Sequence, residues 1–591
     1  MNNQPNKIGI VIDSSPNNII VEINSQEIFE ENKNDLQIGK YLKIACGNLD
    51  FIITSIKNLR ATEIINNENK PLFKFIINSF PIGSLIEGKK FDKGNISLPV
   101  PTEPVFIIDS ESLKIIFSSS EGFNFPMGHL VQNKSQELKI AGNNFFSKHI
   151  AVVGTTGSGK SCTVAKIIQE AVGINNGINT NKAFQKNSHI IILDLHSEYK
   201  SAFSLDQKQE FSLNVLEVGN LKLPYWLMNA EELETMFIES NESNSHNQIS
   251  QFRRAVILNK GYHNEEIRDK VTYDTPIYFS IKEVFRYIYN LNISTKDAKT
   301  GELKIKIKDS NFPDIIEYQL FGDIEFEEKQ TAKINNGQFA GEFDRFVLRF
   351  DTKINDKRLS FILDPQKQDG SYYKTDDFEK IMKQFIGYLN KANISIIDLS
   401  GVPHEVLNIT VSLISRLIFD FCFHYSRIRN KNYDLNDIPF MIVCEEAHNY
   451  IPRSQESKYK SSKEAVERIA KEGRKYGLSL MIVSQRPSEV SETIFSQCNN
   501  FITLRLSNSN DQSYVKSLIP ETTSGIIDNL PNLSLGEFII MGDASLFPCI
   551  VYLEKPNPEP SSQSVKVYDE WKEDWKTPAF DEIIKHWKKE I

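Results

Sequence analysis

The apolar residues of this chain fall into three successive patterns. At the amino end, Ile8-Gly-Ile-Val-Ile12 and Ile19-Ile-Val-Glu-Ile23 flank Ser14-Ser-Pro-Asn-Asn18, two strands joined by a turn. Short runs at Tyr41–Ile44, Phe51–Ile56 and Phe73–Ile77 follow, broken by Gly and Asn, and together they predict a small β-barrel over residues 1–110. That segment holds no catalytic constellation and reads as an accessory or oligomerisation module. Residues 110–148 read as irregular. Beyond them, buried-strand runs alternate with helical periodicity. His149-Ile-Ala-Val-Val153 precedes a segment whose Val164, Ile167, Ile168 and Val172 share one helical face. His189–Leu193, Ile394–Asp398, Phe440–Cys444 and Leu478–Val483 are further core strands, with helices expected at Val411–Tyr425 and Lys463–Lys471. Strands at Phe501–Leu506, Phe538–Met541 and Ile550–Leu553 complete the series. Strand and helix in turn predict an α/β fold with a parallel sheet covered on both faces.

The third pattern fills the gap of about two hundred residues between the second and third core strands, too long for one loop. An inserted, mainly helical subdomain is expected at 225–390. Its helices read at Ala230–Leu258, Ile281–Leu291 and Phe378–Leu389, and 301–363 is more β-like because Leu303-Lys-Ile-Lys-Ile-Lys308 alternates. The expected organisation is a barrel (1–110), a first part of the core (111–224), the insertion (225–390), a second part of the core (391–555) and a carboxyl-terminal arm (556–591). Trp571, Trp575 and Trp587 stand among charges in that arm, which either packs on a neighbour or closes its own domain.

Composition narrows the class without choosing the chemistry. With 40% hydrophobic and 25% charged residues the chain reads as folded and soluble, and its 591 residues are too many for one core. No apolar run stands out as a membrane span, and Met1–Lys7 lacks a signal-peptide core, so no membrane and a cytoplasmic location are expected. Six dispersed cysteines form no C-x-x-C pair, which disfavours structural zinc. The formal charge of −9 argues against an all-basic surface, yet a few cations lining a channel suffice for nucleic acid.

The chemistry starts at Gly154-Thr155-Thr156-Gly157-Ser158-Gly159-Lys160-Ser161, the G-x-x-x-x-G-K-[ST] loop whose amides wrap the phosphates of a nucleoside triphosphate. Between a strand and a helix N-terminus, its free N–H groups and the helix dipole favour an anion. Cys162 follows directly and belongs to the same expected nucleotide site. Glu445-Glu446 end an apolar strand. Ser161 would give its hydroxyl to Mg²⁺, Glu445 would hold metal-bound water, and Glu446 would deprotonate the attacking water. Asp194-Leu-His-Ser-Glu-Tyr199 ends another strand, where such sheets bind ligands. Gln485, after the next strand, is placed to sense the γ-phosphate. Arg474 and Arg505 are candidates for a guanidinium delivered to the developing charge from an adjacent subunit. The eight basic residues between Arg453 and Lys475 fit either a phosphate-tracking loop or an exposed, charge-rich helix.

Gly154–Ser161, Asp194–Tyr199, Glu445-Glu-Ala-His-Asn449, Glu472-Gly-Arg-Lys-Tyr-Gly477 and Ser484-Gln-Arg-Pro487, in that order, resemble the HerA-type ATPases of the HerA/FtsK superfamily. The resemblance implies a RecA-like P-loop NTPase core with an N-terminal HAS-type barrel and a helical insertion. It implies ATP and Mg²⁺ as cofactors, a homohexameric ring, and double-stranded DNA driven through the central channel. It also implies that Arg474 or Arg505 acts in trans. Partners of this family are a NurA-type nuclease in DNA-end processing, or a sirtuin-like or nuclease effector in anti-phage defence. One departure stands out: Glu445 occupies the place of the usual magnesium-holding Asp. The alternative reading is an ATP-regulated hexameric scaffold that assembles and activates an effector without processive translocation.

Overall fold

A computed structural model describes residues 7–588 apart from 48–49, 66–70, 94–96, 119–121, 176–177, 180–184, 206–210, 240–241, 243, 330–332, 432–435, 519–523 and 563–564. The amino-terminal strands form a seven-stranded antiparallel sheet that closes on itself through pairing of Asn18–Ile23 with Pro71–Ile86. Its alternating residues make a separate core of Ile8, Val21, Leu42, Ile52 and Ile77. The expected runs at Phe51–Ile56 and Phe73–Ile77 are the middles of one hairpin with arms Asp50–Ile65 and Pro71–Ile86. The barrel docks on the rest of the chain through Phe547, whose ring lies 5.5 Å from Tyr41, 5.2 Å from Phe117 and 6.1 Å from Phe91.

The central sheet has eleven strands. Leu213–Leu216, Ile394–Asp398, His189–Asp194, Phe440–Cys444, Leu478–Ser484, His149–Val153 and Cys498–Thr503 lie side by side in that order, all parallel. The middle strands His149–Val153, Phe440–Cys444 and Leu478–Ser484 are buried at every position, which explains their unbroken apolar runs. Glu537–Gly542, Cys549–Tyr552, Phe123–Leu130 and Asn133–Ala141 then extend the sheet antiparallel. The parallel sheet expected from sequence is therefore present as seven strands, within a larger sheet that is mixed. The stretch 110–148 is not irregular either: it holds a helix, Ser110–Ser118, and the hairpin at the sheet edge.

Helices Lys160–Ala171, His404–Asn430 and Lys460–Glu472 pack against this sheet. His404–Asn430 is long and apolar enough to cross a bilayer, contrary to the expectation that no such run exists. Its apolar residues are spent on the protein core, where Val411, Leu413, Ile414 and Ile418 are wholly buried. His149, 1% exposed, ties the P-loop strand to its neighbours: Leu480 N donates to Nδ1 (3.0 Å) and Nε2 meets Ala470 O (3.0 Å). Burial pushes its pKa down to about 4, so the neutral ring donates at one nitrogen and accepts at the other.

Between Leu213–Leu216 and Ile394–Asp398 the chain is mostly helical, with Ala230–Phe237, Ser245–His263, Ile281–Ile293, Asp344–Ile354 and Phe378–Phe385. The β-like reading of 301–363 is corrected. Alternation at 303–308 yields only the strand Ile305–Ile307, paired with the two-residue Glu325–Phe326. A buried ion pair fastens this region to the core. Glu232, wholly buried, accepts from Arg416 Nη2 at 2.8 Å and Nε at 3.2 Å, from Ser412 Oγ at 2.8 Å and from Asn229 N at 3.0 Å. Glu232→Ala strips Arg416 of its buried carboxylate, leaving it Leu227 O and the more distant Asp420 at 3.5 Å, and is expected to cost roughly 3–5 kcal/mol. Replacing both residues by methionine is expected to recover most of the loss. Chemical denaturation of the three proteins checks this; equal stability of Glu232→Ala and the parent refutes it.

Candidate nucleotide site

The strand order explains why widely separated segments meet. His189–Asp194, Phe440–Cys444, Leu478–Ser484 and His149–Val153 are adjacent and parallel, so the residues that follow each of them emerge along one edge. That edge is where open α/β sheets bind ligands. There a pocket of about 250 Å³ is lined by Lys160, Ser161, Glu198, Glu445, Glu446 and Gln485, among others.

The loop reaches the helix through Gly157 (φ +72°) and Gly159 (φ +95°), conformations that a side chain disfavours. Gly154 is required by crowding: a Cβ there would lie 2.6 Å from Ser158 Oγ and 2.8 Å from Leu504 Cβ. Thr156, Gly157, Gly159, Lys160, Ser161 and Cys162 face the pocket. Gly154, Thr155 and Ser158 instead form the back of the loop. Thr155 N and Oγ1 both donate to Arg505 O, at 2.9 and 3.0 Å, and Gly154 N donates to Ser484 O at 3.3 Å. Lys160 is 8% exposed and donates to Thr155 O at 3.4 Å. Burial lowers its pKa, while Glu446, Glu445 and Glu198 act to raise it.

Opposite Lys160 stand carboxylates in excess. Glu445 is 2% exposed, and burial together with Glu446, Glu198 and Asp194 pushes its pKa up to about 9. Leu195 N donates to its Oε2 at 3.3 Å. Glu446 is held at φ 45°, ψ 47°, a left-handed backbone that is rare for a non-glycine residue. Its Oε2 lies 3.3 Å from His448 Nδ1, without the alignment of a hydrogen bond, and is buried and unsatisfied. Glu198 Oε2 and Ser158 Oγ are likewise buried without a partner. Unsatisfied oxygens and a carboxyl held neutral by its neighbours are what a bound cation would relieve. Ser161, Glu445 and Glu446 therefore fit a hydrated magnesium ion, which needs few protein ligands. Accordingly, no cluster of three or more His, Cys, Asp or Glu side chains in metal-binding array occurs among the described residues.

Gln485 belongs to the same cluster: Thr156 Oγ1 donates to its Oε1. The two arginines are placed differently. Arg505 follows the strand Cys498–Thr503 beside the P-loop, and its exposed side chain does not line the pocket. Arg474 precedes Leu478–Ser484, at the opposite end of that strand and ~20 Å from its own P-loop by strand rise. There Nη1 donates to Asn499 Oδ1 at 3.3 Å. Neither arginine serves the pocket of its own chain in this arrangement.

Two features go beyond the sequence reading, which placed Asp194–Tyr199 at a ligand-binding strand end without orienting its acids. Asp194 turns inward and accepts from the amides of His196, Glu198 and Tyr199, at 3.3, 3.1 and 2.9 Å. The turn it fixes, with Ser197 at φ 57°, makes Glu198 and not Asp194 the residue that faces the pocket. The second is Leu553–Ser562, which supplies a wall of the pocket. Prolines at 556, 558 and 560 mark an extended segment, but nothing in its composition points to a ligand.

The basic stretch resolves toward the plainer of its two readings. Five of its eight cations are ion-paired: Arg453 with Glu492, Lys458 with Glu456, Lys460 with Glu231, Arg468 with Asp420 and Lys471 with Glu467. Most of its charge is already compensated, and residues 460–472 form a helix.

The profile of the family described as "Helicase HerA, central domain" matches residues 125–418. The central segment of the chain is a HerA-type P-loop ATPase domain. It is 24% identical over 572 residues to the DNA double-strand break repair helicase HerA of Saccharolobus solfataricus, covering 94% of this chain and 95% of the relative. It is 25% identical over 477 residues to the protein of the same name from Sulfolobus acidocaldarius, covering 80% and 77%. Among solved structures it is similar to VirB4 of Thermoanaerobacter pseudethanolicus, at 12% identity and a TM-score of 0.42, covering 74% of this chain and 97% of the other. The plasmid coupling protein TrwB with a GTP analogue gives 13% identity and a TM-score of 0.43, with 77% and 95% covered.

Proposed function

We propose that this protein is an ATP-dependent DNA translocase or helicase that works as a hexameric ring around duplex DNA, together with a nuclease or defence effector. The observation that carries the ATPase half is the convergence of buried Lys160 and half-buried Ser161 with Glu198, Glu445 and Glu446 in one pocket. In the proposed cycle the P-loop amides and Lys160 hold the triphosphate and Ser161 with Glu445 holds Mg²⁺. Glu446 takes the proton of the attacking water, and Gln485, bonded to Thr156, senses the γ-phosphate. Mg²⁺, when bound there, would neutralise charge on the phosphates. Among the described residues no arginine lines the pocket, which supports delivery of one by a neighbouring subunit. Arg505, exposed beside the P-loop, and Arg474, exposed at the far end of the sheet, are the two donors proposed.

DNA enters this reading through the curated relatives, which are named as DNA repair helicases. The test is ATP hydrolysis with and without linear duplex DNA over a salt series, paired with native mass spectrometry. Expected are a six-subunit assembly and a DNA-stimulated rate whose stimulation fades as salt rises. Hydrolysis indifferent to DNA at every salt, with a ring that still activates its effector, would overturn translocation in favour of the scaffold.

A further inference from the structure

The P-loop and the three glutamates account for the phosphate and metal end of the pocket. The opposite wall comes from two places far away in sequence: Leu535-Gly536, in the turn before strand Glu537–Gly542, and Leu553–Ser562 after the last strand of the sheet. We propose that this wall is a nucleoside clamp in which the base rests on Leu535 and Leu553 and Glu559 accepts hydrogen bonds from the ribose hydroxyls. The inference rests on the nucleotide reading above and assigns the half of the ligand that the P-loop cannot specify.

The backbone of the segment is fastened at both sides of the pocket. Gln169, fully buried on the P-loop helix, donates from Nε2 to Pro558 O at 2.8 Å and accepts from Asn557 N at 3.2 Å. Ser201 Oγ donates to Glu559 O at 3.0 Å, and Ser561 N donates to Glu198 O at 2.8 Å. The segment is thus tied to the helix that holds the phosphates and to the loop that carries Glu198. With its main chain fixed, Lys555, Glu559 and Ser562 face the pocket. Glu559 Oε2 accepts from Lys555 Nζ at 3.4 Å, which holds the side chain at the pocket wall.

The chemistry of the wall matches a ribonucleoside. A nucleobase has flat apolar faces, and Leu535 and Leu553 are the apolar part of the wall. Gly536, at φ +83°, lets the backbone approach: a Cβ there would lie 3.0 Å from Leu553 O. Ribose presents two vicinal hydroxyls, and a carboxylate is the acceptor that dinucleotide-binding Rossmann folds place on them. A wall that served only to shut out water would need no charged pair.

The test compares Mg²⁺ complexes of ATP, 2′-deoxy-ATP and inorganic tripolyphosphate by titration calorimetry on the full chain. The parent protein is expected to bind ATP at least ~10-fold more tightly than tripolyphosphate and more tightly than 2′-deoxy-ATP. Glu559→Gln is expected to lose roughly 5- to 20-fold in ATP affinity and most of the ribose discrimination, with tripolyphosphate affinity unchanged. Gln169→Ala, which loosens the segment without touching the ligand, is expected to weaken ATP and spare tripolyphosphate, and thermal melting checks that both variants fold. ATP affinity unchanged in both variants, or tripolyphosphate affinity falling in parallel with it, overturns the clamp. A parent protein that binds neither ATP nor tripolyphosphate overturns the nucleotide reading itself, which is a separate failure.

Discussion

Lys160→Ala is expected to reduce nucleotide affinity by roughly 10²- to 10³-fold. The ammonium lies at the first turn of the P-loop helix, nearly buried, where its one hydrogen bond among the described residues is the long one to Thr155 O. Its remaining donors are therefore available to phosphate oxygens. A charge-assisted hydrogen bond is worth about 1.5–3 kcal/mol, and losing two near the lower end of that range, about 3–4 kcal/mol together, gives the stated factor. The substitution also removes a cation that interacts with Glu446, Glu445 and Glu198, so phosphate repulsion in the pocket rises. Calorimetric titration with Mg²⁺-ATP decides it, with chemical denaturation to show that the alanine protein is folded. An affinity within threefold of the parent would remove Lys160 from the site.

The parts of this molecule legible in its sequence are those where one physical requirement dominates. Strands buried on both faces must be continuously apolar, so His149–Val153, Phe440–Cys444 and Leu478–Ser484 announce themselves. A backbone that wraps phosphate must have glycine where φ is positive, so the loop at Gly157 and Gly159 does too. What stayed hidden depends on competing or distant requirements. The hairpin Phe123–Ala141 carries three register shifts, which break its alternation and left it looking irregular. Leu213–Leu216 is a four-residue edge strand, too short for any period to emerge. In Asp194–Tyr199 the acidic residues could be placed at the strand end but not oriented. That Asp194 caps the turn while Glu198 faces the pocket is decided by one left-handed residue, Ser197. The alternation at 303–308 describes a half-exposed strand correctly but says nothing of how little partner it finds. The wall at Leu553–Ser562 is legible only in space, because its anchor Gln169 lies nearly four hundred residues earlier.

Glu446→Gln is expected to retain nucleotide binding and lose turnover by about 10²- to 10⁴-fold, the range for removing a general base. The geometry separates the two effects. Glutamine keeps the size of the side chain and needs no change at the left-handed backbone, so the pocket should persist. It also relieves part of the like-charge crowding that raises the pKa of Glu445, so Mg²⁺-nucleotide affinity is expected to hold or to increase. What is lost is the proton acceptor. In the present arrangement Glu446 Oε2 is unsatisfied and stands beside His448 and, through it, Ser484, whose Oγ lies 3.3 Å from His448 Nδ1. Glu446 therefore adjoins the strand that ends at Gln485, and base and γ-phosphate sensor share one local frame. Single-turnover hydrolysis measured beside equilibrium binding tests this. A normal chemical step in the glutamine protein would leave Glu446 a structural residue and transfer the search for the base to Glu198, the other pocket carboxylate with an unsatisfied oxygen. The same variant distinguishes a motor from a scaffold. If the ring acts by moving DNA, effector activity must fall with hydrolysis; if ATP binding alone assembles it, Glu446→Gln will activate the effector as well as the parent does.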